Sequence, residues 1–143
     1  MNHSEKAVGF FKQKYHCAQA VFASFADEHG IAESDAFNIA SCFGSGMRKG
    51  EVCGACSGAL MVLGAKYSEG NTNKEKMNAL TVKFLEAFKK ANGSYICNEL
   101  LGIDISTAEG AEKARNSGLF ADFCPKMIAS AAEILDEIIA EEK

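Results

Sequence analysis

The spacing of the apolar residues constrains the fold of this chain more than any other feature. Apolar side chains recur at steps of three and four, and no segment alternates apolar and polar residues for more than a few positions. Proline, which interrupts helices, occurs once, at Pro125. The sequence therefore predicts an all-α fold. Because 143 residues suit one core, we expect residues 1–143 to form a single-domain bundle of about five to seven helices.

The first half of the chain predicts three helical segments. One segment has a stripe of apolar residues at helical spacing: Phe11, Tyr15, Ala18, Phe22 and Phe25. This stripe ends near Gly30 and forms either one helix or two helices that break near Tyr15. A second helix is expected over 34–43, with a serine as its N-cap, and a third over 53–67.

Residues 44–58 form a glycine-rich loop, with a glycine at about every fourth position. Glycine allows close approach of the backbone to another group, so we expect this loop to lie against another part of the molecule. Arg48 and Lys49 lie among these glycines and, together with exposed backbone N–H groups, favour an anion. A nucleotide is not expected, because the chain lacks the phosphate-binding G-x-x-x-x-G-K-[ST] motif.

The second half of the chain predicts three further elements and a turn. A capping box at 72–75 opens the clearest amphipathic helix, over 73–92. A turn is expected at 97–102, and a second capping box at 106–109 opens a polar helix that ends near Gly118. The last helix is expected to start at Pro125, with Cys124 as its N-cap.

Charge and hydropathy exclude two classes of partner. Fifteen basic and nineteen acidic residues give a formal charge of -4 without a basic cluster, so no nucleic-acid partner is expected. The longest apolar run, at 58–65, is too short to span a bilayer, so no membrane insertion is expected. The N-terminal residues lack the pattern of a secretory signal, and we therefore expect a cytoplasmic location.

Six cysteines are the strongest chemical signal in the sequence. In a cytoplasmic chain, cysteines are more often reduced, metal-bound or catalytic than paired as structural disulfides. Cys53 and Cys56 form a C-x-x-C motif at a helix start, which suits either a disulfide or a chelated metal. Alternatively, only Cys53 is chemically active, in a surface loop, and Cys56 packs on the apolar face of the helix.

The other cysteines differ in their local context. If Cys124 is a helix N-cap, it lies beside unpaired backbone N–H groups, which favour the thiolate. An equally weighted alternative is that Cys124 is a buried cysteine that packs as a small apolar side chain. Cys17 is expected at the flank of a helical stripe, Cys97 in a turn, and Cys42 in a packing role. The adjacent His16 is not an obvious base for Cys17, because consecutive helical side chains point about 100° apart.

These motifs together resemble a known family. The string from Cys53 to Gly58, CGACSG, fits a CGAxxG motif, and Cys17, Cys97 and Cys124 complete the order of cysteines in the redox-active family named for its C_GCAxxG_C_C pattern. The resemblance implies a small helical protein for redox chemistry or metal handling. It also selects Cys17, Cys53, Cys97 and Cys124 as the functional residues, and leaves Cys42 and Cys56 outside that set.

Three functions are compatible with these residues. In the favoured function, the thiols perform thiol–disulfide chemistry or electron transfer with an unidentified redox partner, as in a thiol-based oxidoreductase. Cys53 is then the expected nucleophile, and no cofactor is required. The alternative makes the same four thiols the ligands of zinc or an iron–sulfur cluster. Disulfides are preferred because each pair needs only its own close approach. The third is a helical interaction module that dimerises through the helix at 73–92.

Overall fold

The computed structural model describes residues 1–142 and confirms the all-α prediction. Its α-helices within these residues are α1 (His3–Lys12), α2 (Cys17–Ala26), α3 (Glu33–Ile39), α4 (Gly54–Tyr67), α5 (Lys74–Asn92), α6 (Cys97–Leu101), α7 (Ala108–Asn116) and α8 (Leu119–Glu141). The first segment forms two helices, which is one of the two alternatives expected, and the break includes Lys14, whose φ of 82° is left-handed. The count of eight exceeds the expected five to seven because the predicted turn after residue 97 is a short helix.

Helix α2 lies at the centre of the core. All of its residues except Gln19 are buried, and α1, α3, α4 and α8 pack around it. The fully buried aromatic rings are Phe25 in α2 and Phe84 and Phe88 in α5. Within residues 1–142, no helix is both long enough and apolar enough to cross a lipid bilayer.

Two glycines of α4 allow close contact with α2. A Cβ atom at Gly58 would lie 2.6 Å from the carbonyl oxygen of Ala18, which is closer than real Cβ contacts allow. A Cβ atom at Gly54 would lie 3.2 Å from the Cβ atom of Cys17. The predicted close approach of the glycine-rich segment is therefore an approach of α4 to α2, and it brings Cys53 towards Cys17.

Helix starts differ from the sequence expectation by one or two residues. The observed N-caps are Ala32, Asn73 and Thr107, in place of the expected Ser34, Thr72 and Ser106. The Thr107 hydroxyl accepts a hydrogen bond of 3.0 Å from the backbone N–H of Gly110. Helix α3 ends at Ile39, earlier than the expected residue 43. Local capping rules therefore locate these helices well but do not fix their first residue.

The last helix begins earlier than predicted. Helix α8 starts at Leu119, after Gly118 in the left-handed conformation, and Pro125 lies inside it. Leu119 and Phe120 pack on a small apolar cluster that includes Cys97. This packing outweighs the preference of proline for the first position of a helix. Cys124 is consequently not an N-cap, and the helix-end argument for its thiolate was wrong.

Candidate functional site

Four cysteines from four segments line one cavity. Cys17, Cys53, Cys97 and Cys124 all contribute to its wall, and its volume is about 660 Å³. This volume lies in the range typical of small-molecule sites, about 300–1,000 Å³. Cys42 is exposed and is not part of the wall, whereas the fully buried Cys56 lies behind Cys53. Each of the six is a free thiol in this structure.

Three of these four cysteines lie at helix starts. Cys17 and Cys97 are the first residues of α2 and α6, and Cys53 is the N-cap of α4. From the sequence, a helix start was expected for Cys53, which is confirmed, and for Cys124, which instead lies inside α8. The helix starts at Cys17 and Cys97 were not expected.

A short backbone bridge holds Cys53 beside Cys97. The segments that precede these two cysteines form an isolated antiparallel β-bridge. The backbone N–H of Cys53 donates to the carbonyl of Tyr95 at 2.8 Å, and that of Cys97 donates to the carbonyl of Glu51 at 2.6 Å. The bridge fixes both thiols at the same wall of the cavity, although they are distant in sequence.

Cys53 has the environment of a reactive thiol. The Cys56 thiol donates a hydrogen bond to its sulfur and lowers the pKa of Cys53; the backbone N–H groups of Ala55 and Cys56 act in the same direction, whereas burial opposes them. The Cys53 side chain is only 5% exposed, so the expectation of a surface loop was wrong. A lowered pKa increases the fraction of thiolate, which is the nucleophilic form.

The neighbouring thiols shift in the opposite direction. Burial raises the pKa of Cys56 far above its usual value, and hydrogen bonding with Cys53 adds to this. A hydrogen bond with Cys124 raises the pKa of Cys17, and burial raises it further by a smaller amount. Burial also raises the pKa of Cys97 to about 12, with smaller contributions from Cys53 and Cys124. The pKa of Cys53 thus shifts downward while those of Cys17, Cys56 and Cys97 shift upward, a separation typical of reactive sites.

His16 also lines the cavity, a position that its place in the sequence did not indicate. Its Nε2–H donates to the backbone carbonyl of Ser41 at 2.9 Å, because a carbonyl only accepts. The other ring nitrogen, Nδ1, is buried and has no hydrogen-bond partner within residues 1–142. His16 is the N-cap residue of α2, directly before Cys17.

Four cations complete the wall of the cavity: Lys12, Lys14, Arg48 and Arg115. Of the two cations that the glycine-rich loop offered, Arg48 lines the cavity and Lys49 does not. Lys12 is the last residue of α1, Lys14 lies in the break between α1 and α2, and Arg115 lies in α7. No spacing in the sequence links these three segments, since only tertiary packing brings them together.

The cysteines approach one another mainly as pairs. Cys53 contacts Cys56, and Cys17 contacts Cys124. In residues 1–142, no group of three or more cysteine, histidine, aspartate or glutamate side chains surrounds one point at which a metal ion would fit. The arrangement therefore offers two dithiols, with Cys97 close to both.

Comparison with known proteins identifies one family. The family model described as "Putative redox-active protein (C_GCAxxG_C_C)" matches residues 15–138. The matched range contains every cysteine that lines the cavity, and it confirms the family resemblance seen in the sequence. No curated protein and no solved structure matches the chain.

Proposed function

The chain belongs to the C_GCAxxG_C_C redox-active family, and we propose that it is a thiol–disulfide oxidoreductase in which Cys53 is the attacking thiolate. The observation that supports this most is the environment of Cys53 at the N-cap of α4. The Cys56 thiol and the N–H groups of Ala55 and Cys56 lower the pKa of Cys53, and the residue lines the cavity. The positive end of the α4 dipole also favours the thiolate.

The first step is attack on a disulfide substrate. The Cys53 thiolate forms a bond to one sulfur of the substrate, and the bond between the two substrate sulfurs breaks. The second substrate sulfur leaves as a thiolate and takes a proton from solvent. Cys53 is then joined to half of the substrate in a mixed disulfide.

Cys56 is the proposed resolving thiol. It follows Cys53 by three residues in a hydrogen-bonded turn, which by helical geometry separates their Cα atoms by about 5 Å, within the range of disulfides. Its thiol loses a proton and attacks the Cys53 sulfur, and the half of the substrate that was bound to Cys53 leaves as a thiolate. In sum, one substrate disulfide becomes two thiols and the Cys53–Cys56 dithiol becomes a disulfide.

The second pair, Cys17 and Cys124, is proposed to restore the first. Exchange would turn these two thiols into a disulfide while the Cys53–Cys56 disulfide returns to two thiols, so that electrons and protons balance. Cys97 lies within electrostatic reach of both Cys53 and Cys124, which suits it to relay the exchange. This assignment gives each of the four family cysteines a redox role.

The test is disulfide mapping after reaction with 2-hydroxyethyl disulfide. In reduced protein quenched with acid soon after limiting reagent is added, we expect a Cys53–Cys56 disulfide in the peptide map and the loss of two free thiols; at later times the disulfide should appear at Cys17–Cys124. In Cys56→Ser, the mixed disulfide should accumulate on Cys53, because the resolving thiol is missing. Cys42→Ala is the matched control and should react like the unmodified chain. Recovery of Cys53 as a free thiol in Cys124→Ser, where the second pair cannot accept the disulfide, while other cysteines are oxidised would overturn the proposal.

A second candidate function is metal binding by Cys17, Cys53, Cys97 and Cys124. It is favoured by the convergence of these four thiols on one cavity, since four thiolates suit tetrahedral zinc or an iron–sulfur cluster. The pairwise contacts make the dithiol function the preferred one. Metal and sulfide content of protein purified without oxygen separates the two: stoichiometric zinc, or iron with sulfide, would assign the thiols as ligands.

A further inference from the structure

The charge of the cavity wall differs from that of the whole chain. Acidic residues outnumber basic ones by nineteen to fifteen in the sequence. Among the described residues that line the cavity, however, there are four lysine or arginine side chains and no aspartate or glutamate. A uniform distribution of charge would place at least as many acids as bases there. The wall is therefore a positive site on a negatively charged protein.

The positive charge of the wall is not neutralised from within the fold. In the part of the chain that the structure describes, the ion pairs use His3, Lys6, Lys76 and Lys83. None of the cations that line the cavity takes part in them. Two longer helices, α2 and α4, also begin at the cavity and direct the positive ends of their dipoles towards it. The wall thus has unbalanced charge available for an anion.

The loop that carries Arg48 is held in an unusual conformation. Four consecutive residues, 45–48, have φ between 54° and 63°, and only one of them is glycine. Residues with a side chain seldom adopt this left-handed conformation, and strained backbone of this kind clusters at functional sites. The turn places Arg48 at the wall and leaves the neighbouring Lys49 outside it. Position, and not charge density in the sequence, thus selects the cation that faces the cavity.

Much of the remaining wall is apolar. Its apolar residues include Phe11, Leu101, Phe120 and Phe123. A ligand that matches such a wall combines an apolar body with one or more anionic groups. The cysteines add a further requirement, because the ligand must bring a reactive bond to Cys53.

We propose that the cavity selects small anionic disulfides, whose acidic groups contact Arg48 and Arg115 while their sulfurs reach Cys53. The inference rests on the proposed function, since it names the substrate class of the same thiolate. For 3,3′-dithiodipropionate, two thiols of the protein would become a disulfide while the substrate becomes two molecules of 3-mercaptopropionate.

The test compares three disulfides of similar length and different charge. The reagents are 3,3′-dithiodipropionate with two negative charges, neutral 2-hydroxyethyl disulfide, and cystamine with two positive charges. Rates at Cys53 are divided by rates with the urea-unfolded protein, which removes differences in intrinsic reactivity. We expect the anionic reagent to exceed the neutral one by about tenfold at low salt and cystamine to be slowest, and we expect the spread to shrink as salt screens the charges.

Variants connect this order to the cavity. Arg48→Gln should reduce the ratio of anionic to neutral rates several-fold, whereas Lys49→Gln, the adjacent matched control, should leave the ratio unchanged. Equal normalised rates for all three reagents would overturn the anionic substrate class and leave the role of Cys53 intact.

A second measurement separates this inference from the proposed function. If no reagent modifies Cys53, the proposed function fails, and binding of unreactive 3,3′-thiodipropionate by calorimetry then decides the charge argument. Binding that weakens in Arg48→Gln would keep the cavity as a site for organic anions. Absence of binding would overturn that as well.

Discussion

Gly58→Ala tests whether the contact between α2 and α4 is as close as the structure indicates. The added Cβ atom would lie 2.6 Å from the carbonyl oxygen of Ala18, while ordinary contacts begin at about 3.4 Å. The nearest atom belongs to the backbone of a buried helix, so it cannot rotate away as a side chain would. The two helices must therefore separate by several tenths of an ångström near the cysteine cavity.

The free-energy balance of this substitution favours destabilisation. Overpacking of a core costs about 1–3 kcal/mol, and this backbone clash belongs at the upper end of that range. Alanine regains about 1 kcal/mol over glycine through its helix propensity. The net loss in the free energy of unfolding is then about 2 kcal/mol, which lowers the Tm of a domain of this size by roughly 4–8 °C.

Gly64→Ala in the same helix is the matched control. A Cβ atom at Gly64 would have no other atom within 4 Å, so only helix propensity changes. We expect a gain of roughly 0.5–1 kcal/mol and a higher Tm in thermal unfolding followed by circular dichroism. Opposite signs for the two variants support the reasoning. If Gly58→Ala raises Tm as Gly64→Ala does, the close approach of the helices is refuted.

The remaining predictions concern the thiols. Cys56→Ala should slow alkylation of Cys53 by iodoacetamide at neutral pH roughly ten- to a hundredfold, because a hydrogen bond to a charged group is worth about 1.5–3 kcal/mol; an unchanged rate would argue against that bond. Cys53→Ser should keep the helical circular dichroism, because serine is a favourable N-cap, and should lose disulfide reduction; loss of helicity would show a structural role instead. The free energy of unfolding should fall as pH rises above 9.0, because thiols ionise there in the unfolded chain while the raised pKa values keep Cys17, Cys56 and Cys97 protonated in the folded state. Urea unfolding between about pH 8 and pH 10 measures this change. A rise in the free energy of unfolding over that range would contradict the raised pKa values.

The sequence predicts those elements whose signals are local and strong. The helix expected at 73–92 is observed as Lys74–Asn92, because an amphipathic pattern over several turns determines both its face and its length. The start of α8 was not predicted, because proline is typical of the first position of a helix and Pro125 therefore indicated a start there. Apolar packing of Leu119 and Phe120 instead extends the helix towards the N-terminus. Competition between a local rule and tertiary packing cannot be judged from one segment.

In the candidate site, too, local contacts were predictable from the sequence and contacts made by tertiary packing were not. The position of Cys53 at a helix start and its contact with Cys56 follow from a local motif, and both were accessible from the sequence. The contact between Cys17 and Cys124 joins the start of one helix to the interior of another, and no spacing predicts it. The cations of the cavity wall were inaccessible for the same reason, apart from Arg48, which the glycine-rich loop indicated.

The most direct test of the central claim is competitive alkylation of the reduced native protein. Substoichiometric iodoacetamide at about pH 7 is followed by peptide mass spectrometry, with Cys42 as the internal reference because it is exposed. We expect Cys53 to be modified ahead of Cys42 despite its burial, because its neighbours lower its pKa and increase its thiolate fraction. Modification of Cys42 first, with Cys53 reacting only after unfolding, would contradict the account.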